Sequence, residues 1–138
     1  MIAGLSLDSA ELSNPPIKYK GLFEKARGYG YERVAHAGEE GPPEYITGSL
    51  DQLQVKRTDH FVCYSEDPQL MACLTKERIT LTVCPVSNCK PCVFSSMKEH
   101  ILKKLLDGGV CVTINSNDPA YFGGCITDNF LAVINEPT

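Results

Sequence analysis

An α/β fold built on parallel strands is what these 138 residues predict, and three observations carry that reading. Short apolar, β-branched runs alternate with stretches of helical periodicity. Proline opens three of the helical stretches, at Asn14-Pro15-Pro16, Pro42-Pro43 and Asp67-Pro68. The polar and ionisable residues Asp8, His36, Glu39, His60, Asn117 and Asp118 stand directly after the apolar runs. Strands alternating with helices at this interval imply right-handed βαβ units. In such folds chemistry is built at the carboxyl ends of the strands.

Residues 2–7 form the first strand candidate. Behind Pro15-Pro16, residues 17–27 carry Tyr19, Leu22, Phe23 and Ala26 at helical spacing, and Gly28 and Gly30 close the pattern. A second strand covers 33–36. Pro42-Pro43 opens a helix with Tyr45, Ile46, Leu50 and Leu53 on one face, and 56–60 is a strand edge. Asp67 is an N-cap for a helix carrying Leu70, Met71 and Leu74. Residues 80–84 are a β-branched strand. A helix over 97–106 ends at Gly108-Gly109, 110–115 is the last strand, and 127–134 is helical. No break in composition divides the chain, so a single domain over 1–138 is expected.

Composition excludes several classes of function. Lys plus Arg number 13 against 17 Asp plus Glu, a net charge of −4, and no basic run exceeds Lys56-Arg57 or Lys103-Lys104. Binding to nucleic acid wants a clustered basic face. No stretch approaches the ~20 apolar residues of a membrane span, and the first residues lack the basic and apolar segments of a secretory signal. Seven cysteines, an odd number, are read as reduced thiols in a cytoplasmic protein. Cys89-x-x-Cys92, with Cys84 upstream, has the spacing of half a zinc or redox site. A structural zinc needs four ligands and there is no second Cys-x-x-Cys, so buried or incidental thiols are the preferred reading.

Three constellations can carry chemistry. In His36-Ala37-Gly38-Glu39 a strand-end histidine and a carboxylate three residues on can offer a metal ligand and a proton carrier. Asp59-His60 ends the next strand. Residues 113–119, Thr-Ile-Asn-Ser-Asn-Asp-Pro, end the last one with side chains able to share a mouth. Each has a plain alternative: a loop with a solvated glutamate, a satisfied histidine, and a turn of good turn formers. Their common place after successive strands favours a shared site.

Four ordered stretches carry a resemblance. They are Val-Ala-His-Ala-Gly-Glu-Glu-Gly-Pro-Pro at 34–43, Arg-Thr-Asp-His at 57–60, Leu-Thr-Val-Cys-Pro-Val-Ser-Asn at 81–88 and Asn-Ser-Asn-Asp-Pro-Ala-Tyr-Phe-Gly-Gly at 115–124. With Leu-Asp-Ser-Ala-Glu at 7–11, they make the chain resemble the C-terminal portion of the adenosine/adenine deaminase family, in its adenine deaminase subgroup. The resemblance implies a partial (β/α)8 barrel, strands four to eight, and a zinc-dependent hydrolysis of 6-aminopurines. It implies His36 and the position of Asn117 as zinc ligands, Glu39 as the proton donor to the purine ring, and His60 as the residue that orients the hydroxide. Asp118 and the backbone at Ser6 would contact the purine.

The chain also departs from the family pattern. Asn117 stands where the family has a zinc-binding aspartate, Ser6 where it has glycine, Phe61 after His60 where it has glycine, and Ile101 where proline is usual. The family's His-x-His is absent from these 138 residues, whose histidines are His36, His60 and His100. Two further readings therefore stand beside the deaminase: a non-catalytic remnant, and a purine-binding module. The expected partners are a purine and either the rest of a barrel or another chain covering the open sheet. Neither nucleic acid nor membrane is expected.

Overall fold

The computed structural model describes residues 2–60, 67–89 and 94–135. They belong to two compact units, Met1–Tyr64 and Ser65–Thr138. Phe61 and Cys92, both singled out above, lie outside the described residues.

In the first unit, strand β1 (Gly4–Leu7) turns Leu5 and Leu7 inward and leaves Gly4 and Ser6 exposed, the period-two alternation of a strand. It runs parallel to β2 (Glu32–His36), with Leu7 opposite Ala35. β2 runs parallel to β3 (Arg57–Asp59), with His36 opposite Asp59. Parallel neighbours need a crossover, and the Pro-Pro signal supplies it. A 3-10 turn over Pro16–Tyr19 leads into helix α1 (Lys20–Gly28), where the missing N–H of proline costs no hydrogen bond. Phe23 and Ala26 are the buried face of α1. Phe23 packs with Ala35, Leu53 and Val55, so Phe23→Ala should cost about 3–5 kcal/mol.

The second crossover begins with α2 (Pro43–Gly48) and widens into a π turn over Ser49–Leu53. Ser49 Oγ donates to the Tyr45 carbonyl at 2.8 Å, and the turn ends at Gln54 in the left-handed region, φ 54°. The widened turn keeps Leu53 in the core.

In the second unit Asp67 caps α3 (Pro68–Lys76), accepting the N–H of Gln69 at 2.9 Å and of Leu70 at 3.1 Å, as the sequence predicts. Strand β4 (Thr80–Val83) buries Leu81 and Val83 completely. A five-residue helix, α4 (Pro85–Cys89), follows it. The helical pattern over 97–106 is broken in two: a 3-10 turn at Met97–Glu99, then α5 (Leu102–Asp107). Between them His100 is extended, and its buried Nδ1 accepts the N–H of Leu102 at 3.1 Å. That bond satisfies a donor at the start of α5.

Strand β5 (Cys111–Ile114) runs parallel to β4, with Val83 opposite Ile114. It is followed by α6 (Pro119–Phe122) and α7 (Ile126–Asn135). Helices α4 and α6 do not emerge from the sequence pattern, because four or five residues are too few to show a helical period. Among the described residues no helix is long and apolar enough to cross a membrane.

Candidate active site

Backbone geometry in the first unit delivers Asp8, Glu11, His36, Glu39 and His60 to the carboxyl ends of β1, β2 and β3. The parallel register sets His36 beside Asp59, and the N–H of Ala37 donates to the Asp59 carbonyl at 3.3 Å. One residue further, His60 takes a left-handed backbone, φ 63°. This region is uncommon for a side chain other than glycine and recurs at functional sites. The turn brings the His60 ring to 4.7 Å from the His36 ring, centroid to centroid. Gly38, at φ 98°, makes the turn that folds Glu39 back over His36.

His36 is the hub. Its Nε2 lies 3.2 Å from Glu11 Oε1 and 3.1 Å from Glu39 Oε2, and its Nδ1 lies 3.7 Å from Asp8 Oδ1. Glu39 reaches both histidines, its Oε1 being 4.0 Å from His60 Nδ1. His60 Nδ1 is buried without a hydrogen-bond partner among the described residues. Asp59 is ion-paired with Arg57, 2.9 Å from its Nε. A cavity of about 160 Å³ opens beside His36, walled by Asp8, Glu11, Asn14, Tyr19 and Tyr45.

The same partners set the charges. Burial works against a charged His36, but hydrogen bonds to Glu11 and Glu39 and the field of both carboxylates outweigh it, raising its pKa to about 10. Burial would raise Glu11; the hydrogen bond with His36 and the N–H groups of Glu39 and Gly41 overcome it and hold the carboxyl at about 2. His60 is pushed down, chiefly by burial, against the attraction of Glu39. The cluster thus contains one charged and one neutral-leaning imidazole, with a carboxylate between them. That is a proton-handling arrangement.

The structure thus brings together Asp8, His36, Glu39 and His60 of the residues the sequence singles out. Ser6 is exposed on β1, its hydroxyl donating to the Leu7 carbonyl at 3.3 Å. In the second unit Asn117 is left-handed, φ 58°, and its Nδ2 donates to Ser87 Oγ at 3.1 Å. Asp118 caps α6, its Oδ1 accepting the N–H groups of Ala120 at 2.9 Å and Tyr121 at 3.1 Å. Sequence reading missed Glu11. Its signals were position, four residues beyond the end of β1, and its place in the resembling stretch at 7–11, but nothing local says that a carboxylate there turns inward to 4% exposure.

The zinc expectation meets a poor donor set. His36 Nε2 is engaged by two carboxylates, and Asn117 uses its amide nitrogen as a donor. Among the described residues no group of three or more His, Cys, Asp or Glu side chains could hold a metal ion. Catalytic zinc takes three protein ligands and a water, so the described donors by themselves do not fit it.

Comparison with known proteins agrees with this architecture. The family model described as Adenosine deaminase matches residues 1–137. The adenine deaminase of Acinetobacter baylyi is 55% identical over 132 residues, covering 96% of this chain and 40% of that protein. The crystal structure of the adenine deaminase from Arthrobacter aurescens superposes with a TM-score of 0.94 at 46% identity, covering 98% of this chain and 41% of that one. An amidohydrolase structure from Burkholderia ambifaria, with bound Zn, gives a TM-score of 0.86 at 26% identity, covering 96% and 37%. The chain therefore spans about two fifths of the length of the relatives it matches. Its strand–helix units are those of a partial (β/α)8-type barrel. On the family match over 137 residues and the identity to adenine deaminases, the chain belongs to the adenosine deaminase family.

Proposed function

We propose that this chain supplies the proton-handling part of a hydrolytic deaminase that converts adenine and water to hypoxanthine and ammonia, with adenosine to inosine as the neighbouring substrate. The observation that carries the reading is the Glu39 carboxylate between His36 and His60, at 3.1 and 4.0 Å. Displacing an amine from an aromatic ring carbon needs the adjacent ring nitrogen to gain a proton. A carboxyl group that takes a proton from the attacking water can pass it to that nitrogen, and Glu39 has that role. His60, kept neutral by burial, orients the attacking water. Asp118 bonds the imidazole ring of the purine; its cap to α6 uses Oδ1, and Oδ2 is the oxygen assigned to the ligand. Ser6 stands where the backbone of β1 would approach the base.

Zinc, by this reading, needs ligands beyond these 138 residues, and the chain alone does not turn over. Ammonia release from adenine with added zinc is the test, on the chain alone and co-expressed with the part of a curated relative that it does not match. The expected result is turnover only in the assembly. A rate of about one per second or more from the chain alone, as in ordinary enzymes, would overturn the misfit with zinc. An assembly that stays inactive even with Asn117→Asp favours the second reading, a purine-binding or partner-pairing domain without catalysis. The observation behind that reading is Asn117 itself, a neutral amide at a position the family gives to a metal-binding carboxylate.

A further inference from the structure

We propose that Glu11 is the positioning residue for Glu39: its buried carboxylate gathers the backbone N–H groups of residues 39 to 41 and so fixes where the Glu39 side chain stands. This rests on the deaminase reading only for its catalytic consequence. Oε1 of Glu11 accepts the N–H of Glu39 at 3.1 Å, and Oε2 accepts those of Glu40, at 3.3 Å, and Gly41. Three consecutive backbone donors converging on one anion make a nest. Here the anion is the protein's own side chain, 28 to 30 residues away in sequence.

Gly41 shows how close the fit is. A Cβ at this position would stand 2.5 Å from Glu11 Oε2 and 2.6 Å from Tyr45 Cδ2. Any larger residue pushes the carboxylate off its donors. Glu11 also touches His36 through Oε1, so a single carboxylate ties the end of β2 to the turn that carries Glu39. The loop after β1 is shaped to present it: Ser9 and Ser13 are left-handed, at φ 79° and 65°, and the Glu11 carbonyl accepts the N–H of Asn14 at 2.9 Å.

Two measurements test the assignment. The first is amide hydrogen exchange on the full 138-residue chain, comparing Glu11→Ala, Glu11→Gln and Gly41→Ala with the parent. Exchange at residues 39–41 should accelerate by about tenfold or more in each, as expected when bonds to a charged acceptor are lost, while amides of α1 keep their rates. The double variant Glu11→Ala/Gly41→Ala should add nothing to Glu11→Ala, since both break one interaction. The second is kinetics in the deaminating assembly, where misplacing Glu39 should lower kcat about 100-fold and leave KM within about threefold.

Unchanged exchange at 39–41 in Glu11→Ala overturns the proposal, and so does an unchanged kcat. If Glu11→Ala does not fold, Gly41→Ala decides by the same two readouts. If the assembly fails to deaminate with Glu11 intact, the deaminase reading falls. The exchange measurement then still decides whether Glu11 holds the turn.

Discussion

His36 in the first unit and His100 in the second are both largely removed from water, yet they end in opposite states. His36 faces Glu11, Glu39 and Asp8, and its pKa is raised to about 10. His100 has Phe94 against its ring, centroids 4.9 Å apart, and the neutral Asn88 amide 3.4 Å from its Nε2. With no carboxylate beside it among the described residues, burial lowers the pKa of His100 to about 4. Burial alone always favours the neutral imidazole; only a partner of opposite charge reverses it. The carboxylates hold His36 charged, which the proposed function uses, whereas the amide and helix N–H around His100 serve the packing of the second unit.

The largest effect that can break this contrast is on activity. In the deaminating assembly Glu39→Gln should lower kcat by about 10²–10⁴-fold, the range for removing a general acid, whereas His100→Gln should leave it unchanged. Ammonia release measures both, and a fully active Glu39→Gln protein would remove the first region from the chemistry.

Next in size is the pH dependence of stability, in which the two histidines act with opposite sign. The His100 contribution is complete above its unfolded value near 6.5 and is lost as pH falls toward 4. Each unit of pKa shift is worth about 1.4 kcal/mol, so the loss amounts to a few kcal/mol. The His36 contribution is complete below 6.5 and is lost as pH rises through 10. Urea midpoints against pH should show an acid slope that His100→Gln flattens and an alkaline slope that His36→Gln flattens. An unchanged acid slope in His100→Gln would place the acid sensitivity elsewhere.

A smaller effect concerns Asp118, which serves both as helix cap and, in the proposed function, as purine contact. Asp118→Ala should cost about 1 kcal/mol of stability, the ordinary value of an N-cap, while Asp118→Asn keeps most of it. Thermal unfolding of the two variants checks the cap. If Asp118→Asn caps well but abolishes turnover in the assembly, the two roles are separate. The smallest expected effect is that of Asn117→Asp on the chain alone: no gain of zinc-dependent turnover, because one added carboxylate still leaves fewer than three protein ligands. Restored activity from that single change would show that Asn117 was the chain's one defect.

The five strands were legible because β-branched runs and Pro-Pro openings are local signals. Residues 80–84 announced β4, and Asp67-Pro68 announced α3 together with its cap. What escaped was decided by single long-range or non-periodic contacts. His100 interrupts a continuous helical pattern because its own ring nitrogen accepts the N–H of Leu102. The π turn at Ser49–Leu53 has no sequence period of its own. At the site, His36, Glu39 and His60 were readable from their places after strands, but their mutual distances were not.

By itself, then, the sequence determined the strand–helix alternation, the family and the chemical types at the strand ends, since propensity, capping and residue identity are properties of short stretches of chain. Only the tertiary structure decided which of those groups share a proton. The parallel register set His36 beside Asp59, a left-handed backbone at His60 turned its ring toward His36, and Glu11 came in from a loop 25 residues earlier to hold both His36 and the Glu39 turn. These are contacts between segments distant in sequence. Their energies depend on separations of a few ångströms and on exclusion of water, and neither quantity exists until the chain has packed.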